Sequence, residues 1–64
     1  MATNRVKELE GAYIQTMQDY IAEARQIALE YADDEETREK KLEELAEKYS
    51  SRLNIINEQL GIAT

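Results

Sequence analysis

Between Gly11 and Gly61 the chain has no glycine, and it has no proline anywhere. Glycine and proline are the residues that most often end a helix, so some fifty consecutive positions carry no local stop signal. What fills them is mainly Ala, Leu, Glu, Lys, Gln and Arg, which lose little side-chain freedom in a helix. The expected fold class is therefore all-α, and the remaining question is how many helices the chain makes.

Apolar spacing answers it. At 100° per residue, Val6, Leu9, Tyr13, Met17, Tyr20, Ala24, Ile27 and Tyr31 fall on one stripe, flanked by Ile14, Ile21 and Ala28. Polar residues cover the rest of that segment, with Leu29 as the exception. A second stripe runs through Leu42, Leu45, Ala46, Tyr49, Leu53, Ile56 and Leu60. Continuing the first stripe's heptad phase would place Asp34, Arg38, Lys41, Lys48 and Arg52 on the seam, so one unbroken helix would bury charge. No large apolar residue occurs from Ala32 to Lys41, and this window holds Asp33-Asp34-Glu35-Glu36. The chain is expected to reverse there, giving an antiparallel two-helix hairpin (αα-hairpin) in a single domain over residues 1–64. Helix 1 is expected over about 3–32, the turn over about 32–36 and helix 2 over about 34–60.

End signals refine these bounds. Asp33 or Asp34 is the expected N-cap of helix 2, Asp33 with Glu36 three residues later fits a capping box, and acids in a first turn favour the helix dipole. At the far end Gly61 is expected in the left-handed position after the last turn, with Ile62 folding back on it. Level residues in an antiparallel pair have numbers with a nearly constant sum, and a sum of about 69 pairs the two stripes. It sets Ile27 against Leu42, Ala24 against Leu45, Tyr20 and Ile21 against Tyr49, Met17 against Leu53, Tyr13 against Ile56, and Leu9 against Leu60. Of these, Leu9, Ala24, Ile27, Leu42, Leu45, Tyr49, Leu53, Ile56 and Leu60 are the expected hairpin core.

A chain of 64 residues buries only a small core, and small domains commonly rely on disulfides, a metal or a partner chain. With no Cys and no His, the disulfide is excluded and a zinc site lacks its usual ligands. Association remains. The apolar arc of helix 1 spans about 140° and that of helix 2 about 100°, so one neighbour cannot cover both flanks of helix 1. Tyr13, Ile14, Met17, Tyr20, Ile21 and Ala28 are accordingly the candidate partner or dimer interface, and dimerisation into a four-helix bundle is expected. All four aromatics are Tyr, namely Tyr13, Tyr20, Tyr31 and Tyr49, and each hydroxyl wants a polar contact if its ring is buried. Gly11 falls on the polar side of helix 1, as a tolerated surface residue near the helix end.

The same composition argues against other functions. Without His or Cys the usual base and thiol nucleophile are missing, and adjacent acids such as Glu43 and Glu44 point about 100° apart on a helix, so no catalytic residues are assigned. The acidic cluster Asp33–Glu36 lacks the spacing and central glycine of a calcium loop and reads as a cap and solubilising turn, with an acidic docking patch as the alternative. No metal, cofactor or small-molecule substrate is expected. The eight Lys and Arg against fourteen Asp and Glu give a net charge of −6, which repels phosphate backbones and anionic lipid surfaces. Met1–Glu10 is polar, so a secretory leader is not expected, no apolar run is long enough to span a bilayer, and a cytoplasmic location is expected.

The leading expectation is a non-enzymatic protein-protein interaction module: an adaptor, assembly factor, chaperone or regulator acting through an apolar helix face. In length and architecture the chain also resembles the small hairpin-dimer Rop RNA-binding proteins, the hairpin co-chaperones of secretion systems and small phage assembly proteins. The Rop resemblance implies RNA as the alternative partner. Against it, helix 1 carries only Arg5, Lys7 and Arg25, and the basic residues of helix 2 are interleaved with more acids.

Overall fold

The computed structural model describes the backbone of residues 2–63 and the side chains of residues 4–63. The ends of the expected domain, Met1 and Thr64, lie outside the described residues. Two helices, α1 (Ala2–Glu30) and α2 (Glu35–Ala63), pack side by side as an antiparallel hairpin about 50 Å long. Among the described residues neither helix is long and apolar enough to cross a membrane.

The reversal occupies Tyr31 to Asp34. Tyr31 N–H still bonds to Ile27 O at 2.9 Å, and Asp34 N–H then bonds to Tyr31 O at 3.1 Å. Asp34 caps α2: its Oδ1 accepts from Thr37 N–H at 3.1 Å, while its carbonyl accepts the first bond of α2, from Arg38 N–H at 2.9 Å. Of the two expected N-caps it is thus Asp34 that serves, with Thr37 at the third helical position, and the Asp33 and Glu36 box does not form. Arg38 also reaches back, its guanidinium donating to Ala32 O at 2.9 Å. That bond satisfies a carbonyl of the turn, and α1 ends at Glu30, two residues before the expected Ala32.

The other end differs from the sequence expectation more plainly. Gly61 has no positive φ, and α2 runs through it to Ala63, so the left-handed stop does not form and Ile62 lies exposed. The physical reason is opposing surface. α1 begins at Ala2, which leaves Val6 level with Ala63, and both are half-buried. One more turn of α2 therefore gains packing, against a glycine penalty of only about 1 kcal/mol.

Along the helix pair, Leu9, Leu45 and Tyr49 are buried. Ala24, Ile27, Leu42, Leu53, Ile56 and Leu60 are half-buried. The Tyr20 and Tyr49 rings meet with centroids 5.5 Å apart at 58°, and their numbers add to 69, the register inferred from the stripes. Leu45→Ala should cost about 2–5 kcal/mol, whereas Leu29→Ala, at a position 80% exposed, should leave the thermal midpoint nearly unchanged. Equal effects on the midpoint would contradict this core.

The cap supplies a pH dependence. The Thr37 hydroxyl and then its backbone N–H hold the Asp34 carboxyl below its ordinary value of 3.8, with a smaller contribution from Arg38. A lowered pKa means the stabilisation is fully present above pH 3.8 and is lost as pH falls through the lower, folded-state value. Asp34→Ala should accordingly melt below the parent at pH 7, and the gap should close on acidification. A gap that persists at pH 2, measured by circular dichroism, would contradict it.

Candidate partner-binding face

The hairpin has two long edges of opposite character. On one, polar side chains bridge the helices. Arg5 donates to Gln59 Oε1 at 3.5 Å near the open end, and Lys48 pairs with Glu23 at 3.8 Å near the middle. Glu23 also accepts from the hydroxyl of Tyr49. This last bond resolves the problem of a tyrosine only 4% exposed, since its ring packs in the core while its oxygen finds an acceptor at the rim. Two cations complete the setting, with Lys48 Nζ 5.5 Å and Arg52 Cζ 5.1 Å from the ring centroid. A shallow recess beside them is lined by Glu23, Gln26, Ile27, Glu30 and Leu45, so that edge is acidic as well as bridged.

The opposite edge is open, and its middle part is uncharged. An apolar groove follows it, with Tyr13, Met17 and Tyr20 on the α1 wall and Ala46, Ser50, Leu53, Asn54 and Asn57 on the α2 wall, and Tyr49 at its base. None of these carries a charge. Towards the open end the groove continues between Tyr13, Ile14, Asn57 and Leu60, and meets its first acid at Glu10. Ile14 stands one residue after Tyr13, and Ile21 one after Tyr20, on the outer side of the α1 wall. They are 57% and 47% exposed, and Ala28 beyond them is exposed too.

Each interface candidate can now be placed. Ile14, Ile21 and Ala28 lie on the flank that α2 does not cover. Tyr13, Met17 and Tyr20 are half-buried and form the groove wall, Tyr20 being engaged with Tyr49 inside the hairpin. Residues the sequence reading passed over are Glu23, Ser50, Asn54 and Asn57. Glu23 had a usable signal, because a buried tyrosine needs an acceptor and Glu23 follows Tyr20 by one turn on the same side of α1. The Ser and Asn row had one as well, since it makes the flank of α2 polar without charge. Ile55 and Ile62 are exposed on α2 without joining this groove.

Among the described residues no group of three acids converges as a metal site would require. No family model, no curated protein and no solved structure matches the chain.

Tyr49 makes a testable contribution at the other edge. The bond to Glu23 raises its pKa above the ordinary 10.0, with burial and the Glu23 charge adding to it. A raised pKa means this stabilisation is fully present below pH 10.0 and is lost as pH rises through the folded-state value. Tyr49→Phe should melt below the parent at pH 7 and approach it above pH 10.0. A pH-independent difference in thermal midpoints would show that the hydroxyl bond contributes nothing.

Proposed function

We propose that this chain is a non-enzymatic protein-binding module whose working surface is the open edge of the hairpin. The observation that carries the reading is the exposure of Ile14 and Ile21 beside a groove without a charged wall. Apolar side chains that recur on one helix face and remain in water mark an association surface, and Tyr and Met are the residue types enriched at such surfaces. A partner would lay a helix along the groove, using Ile14, Met17 and Ile21 as anchors at helical spacing. Adaptors, assembly factors, chaperones and regulators share this mode of action.

The Rop-type alternative would need a surface row of cations for the phosphate backbone. Lys48 is instead committed to Glu23, and Lys48 and Arg52 both lie against the Tyr49 ring, so nothing favours RNA over protein.

The test is capture from lysate by three immobilised forms: the parent, Ile14→Glu/Ile21→Glu, and Lys41→Glu as a charge control on an exposed site away from the groove. A protein retained by the parent and by Lys41→Glu, and reduced at least tenfold on the double variant, is the expected result. Retention by all three alike would remove the groove as the working surface.

A further inference from the structure

We infer that the partner this face is built for is a second copy of the chain, joined by a two-fold axis that passes α1 between Met17 and Gln18 and leaves the two turns at opposite ends. The inference rests on the binding-face reading above and names its occupant.

Surface area is the first ground. A compact folded monomer of 7.4 kDa exposes on the order of 4,200 Å², whereas this hairpin exposes 5014 Å². The excess is roughly 800 Å², which is what each partner buries in a standard stable interface. Covering one face with another hairpin would bring the chain to the burial expected for its size.

The second ground is a row on α1 that is symmetric in position and complementary in charge. Glu10, Ile14, Ile21 and Arg25 follow one another at steps of four, seven and four, so they share one face of the helix. Laid antiparallel on its own copy, this row sets Ile14 against the copy's Ile21 and Glu10 against the copy's Arg25, and does so twice by symmetry. The ion pairs among the described residues are Arg5 with Glu8 and Lys48 with Glu23, so Glu10 and Arg25 are not ion-paired within the hairpin. On α2 the same axis brings Ser50 level with Leu53 and Ala46 with Asn57, with no acid facing an acid.

The third ground selects between the two ways of stacking hairpins. With both turns at one end, the acidic stretches Asp33–Glu36 would lie near each other across the interface, and Ile14 and Ile21 would face the Asn and Ser row of the other chain's α2. With the turns at opposite ends the acidic stretches are roughly 45 Å apart at 1.5 Å per residue, several screening lengths at physiological salt. In a chain of net charge −6 that separation favours the second arrangement.

Sedimentation equilibrium, charge exchange and spin labelling test it together. The parent should sediment at twice 7.4 kDa. Arg25→Glu, at an exposed position, should raise the dimer dissociation constant by about tenfold, since each lost pair becomes a repulsion, and Glu10→Arg/Arg25→Glu should restore it to within about twofold. Nitroxides at Asp33→Cys, in a chain that has no other cysteine, should lie roughly 45 Å apart or more, and those at Gln18→Cys much closer. A dimer with close turn labels, or one that the double exchange fails to restore, would overturn the geometry. A folded monomer would overturn the second copy as occupant; loss of captured protein from Ile14→Glu/Ile21→Glu alone would in that case still uphold the binding face, so the two failures can be told apart.

Discussion

The hairpin is organised around one residue, Tyr49. Its ring is the least exposed side chain among the core residues, it meets Tyr20 across the helix interface, and its hydroxyl reaches Glu23 at the rim. Those two contacts lock α2 against α1 in rotation and in register, because a slip of one turn would lose both the ring and the acceptor. Leu45 below and Leu53 above continue the same line, but neither replaces the polar bond. The consequence is an asymmetric pair of helices, closed on the Glu23 side and open on the side of Met17 and Leu53.

The openness follows from stripe width. α1 places apolar residues over a wider arc than α2 does, and a single neighbour can cover only the part of that arc which faces it. Leu9, Tyr20 and Ile27 are covered, whereas Ile14 and Ile21 are not. A pair of helices with so few buried side chains gains little from the hydrophobic effect relative to the entropy of ordering 64 residues. The uncovered arc and the thin core are therefore two aspects of one fact: α1 carries more apolar surface than α2 covers.

Much of this was legible in the sequence because helices announce themselves by period. The missing glycines and prolines, the phase break after Tyr31 and the apolar pairing at a sum near 69 were enough for the hairpin and its Tyr20 to Tyr49 contact. Helix ends were less legible. Which of Asp33 and Asp34 is the cap depends on where Arg38 and Thr37 come to rest, and the continuation through Gly61 depends on Val6 standing opposite Ala63, a tertiary contact that local signals do not contain. On the candidate face, the exposed isoleucines could be read from the wheel, since exposure is what remains when a stripe is too wide. The uncharged row of Ser50, Asn54 and Asn57 is likewise a pattern of one flank of α2, but that it borders the groove beside Met17 and Tyr20 follows only from setting the two helices side by side.

The central claim is that the folded hairpin depends on having its open face covered by a copy of itself. The measurement that addresses it most directly is the thermal midpoint of the parent chain, followed by circular dichroism over about a hundredfold range of protein concentration. Linkage of folding to association predicts a midpoint that climbs steadily with concentration. A midpoint that is high and does not move with concentration would mean that the hairpin is stable with Ile14 and Ile21 in water, and would contradict the claim.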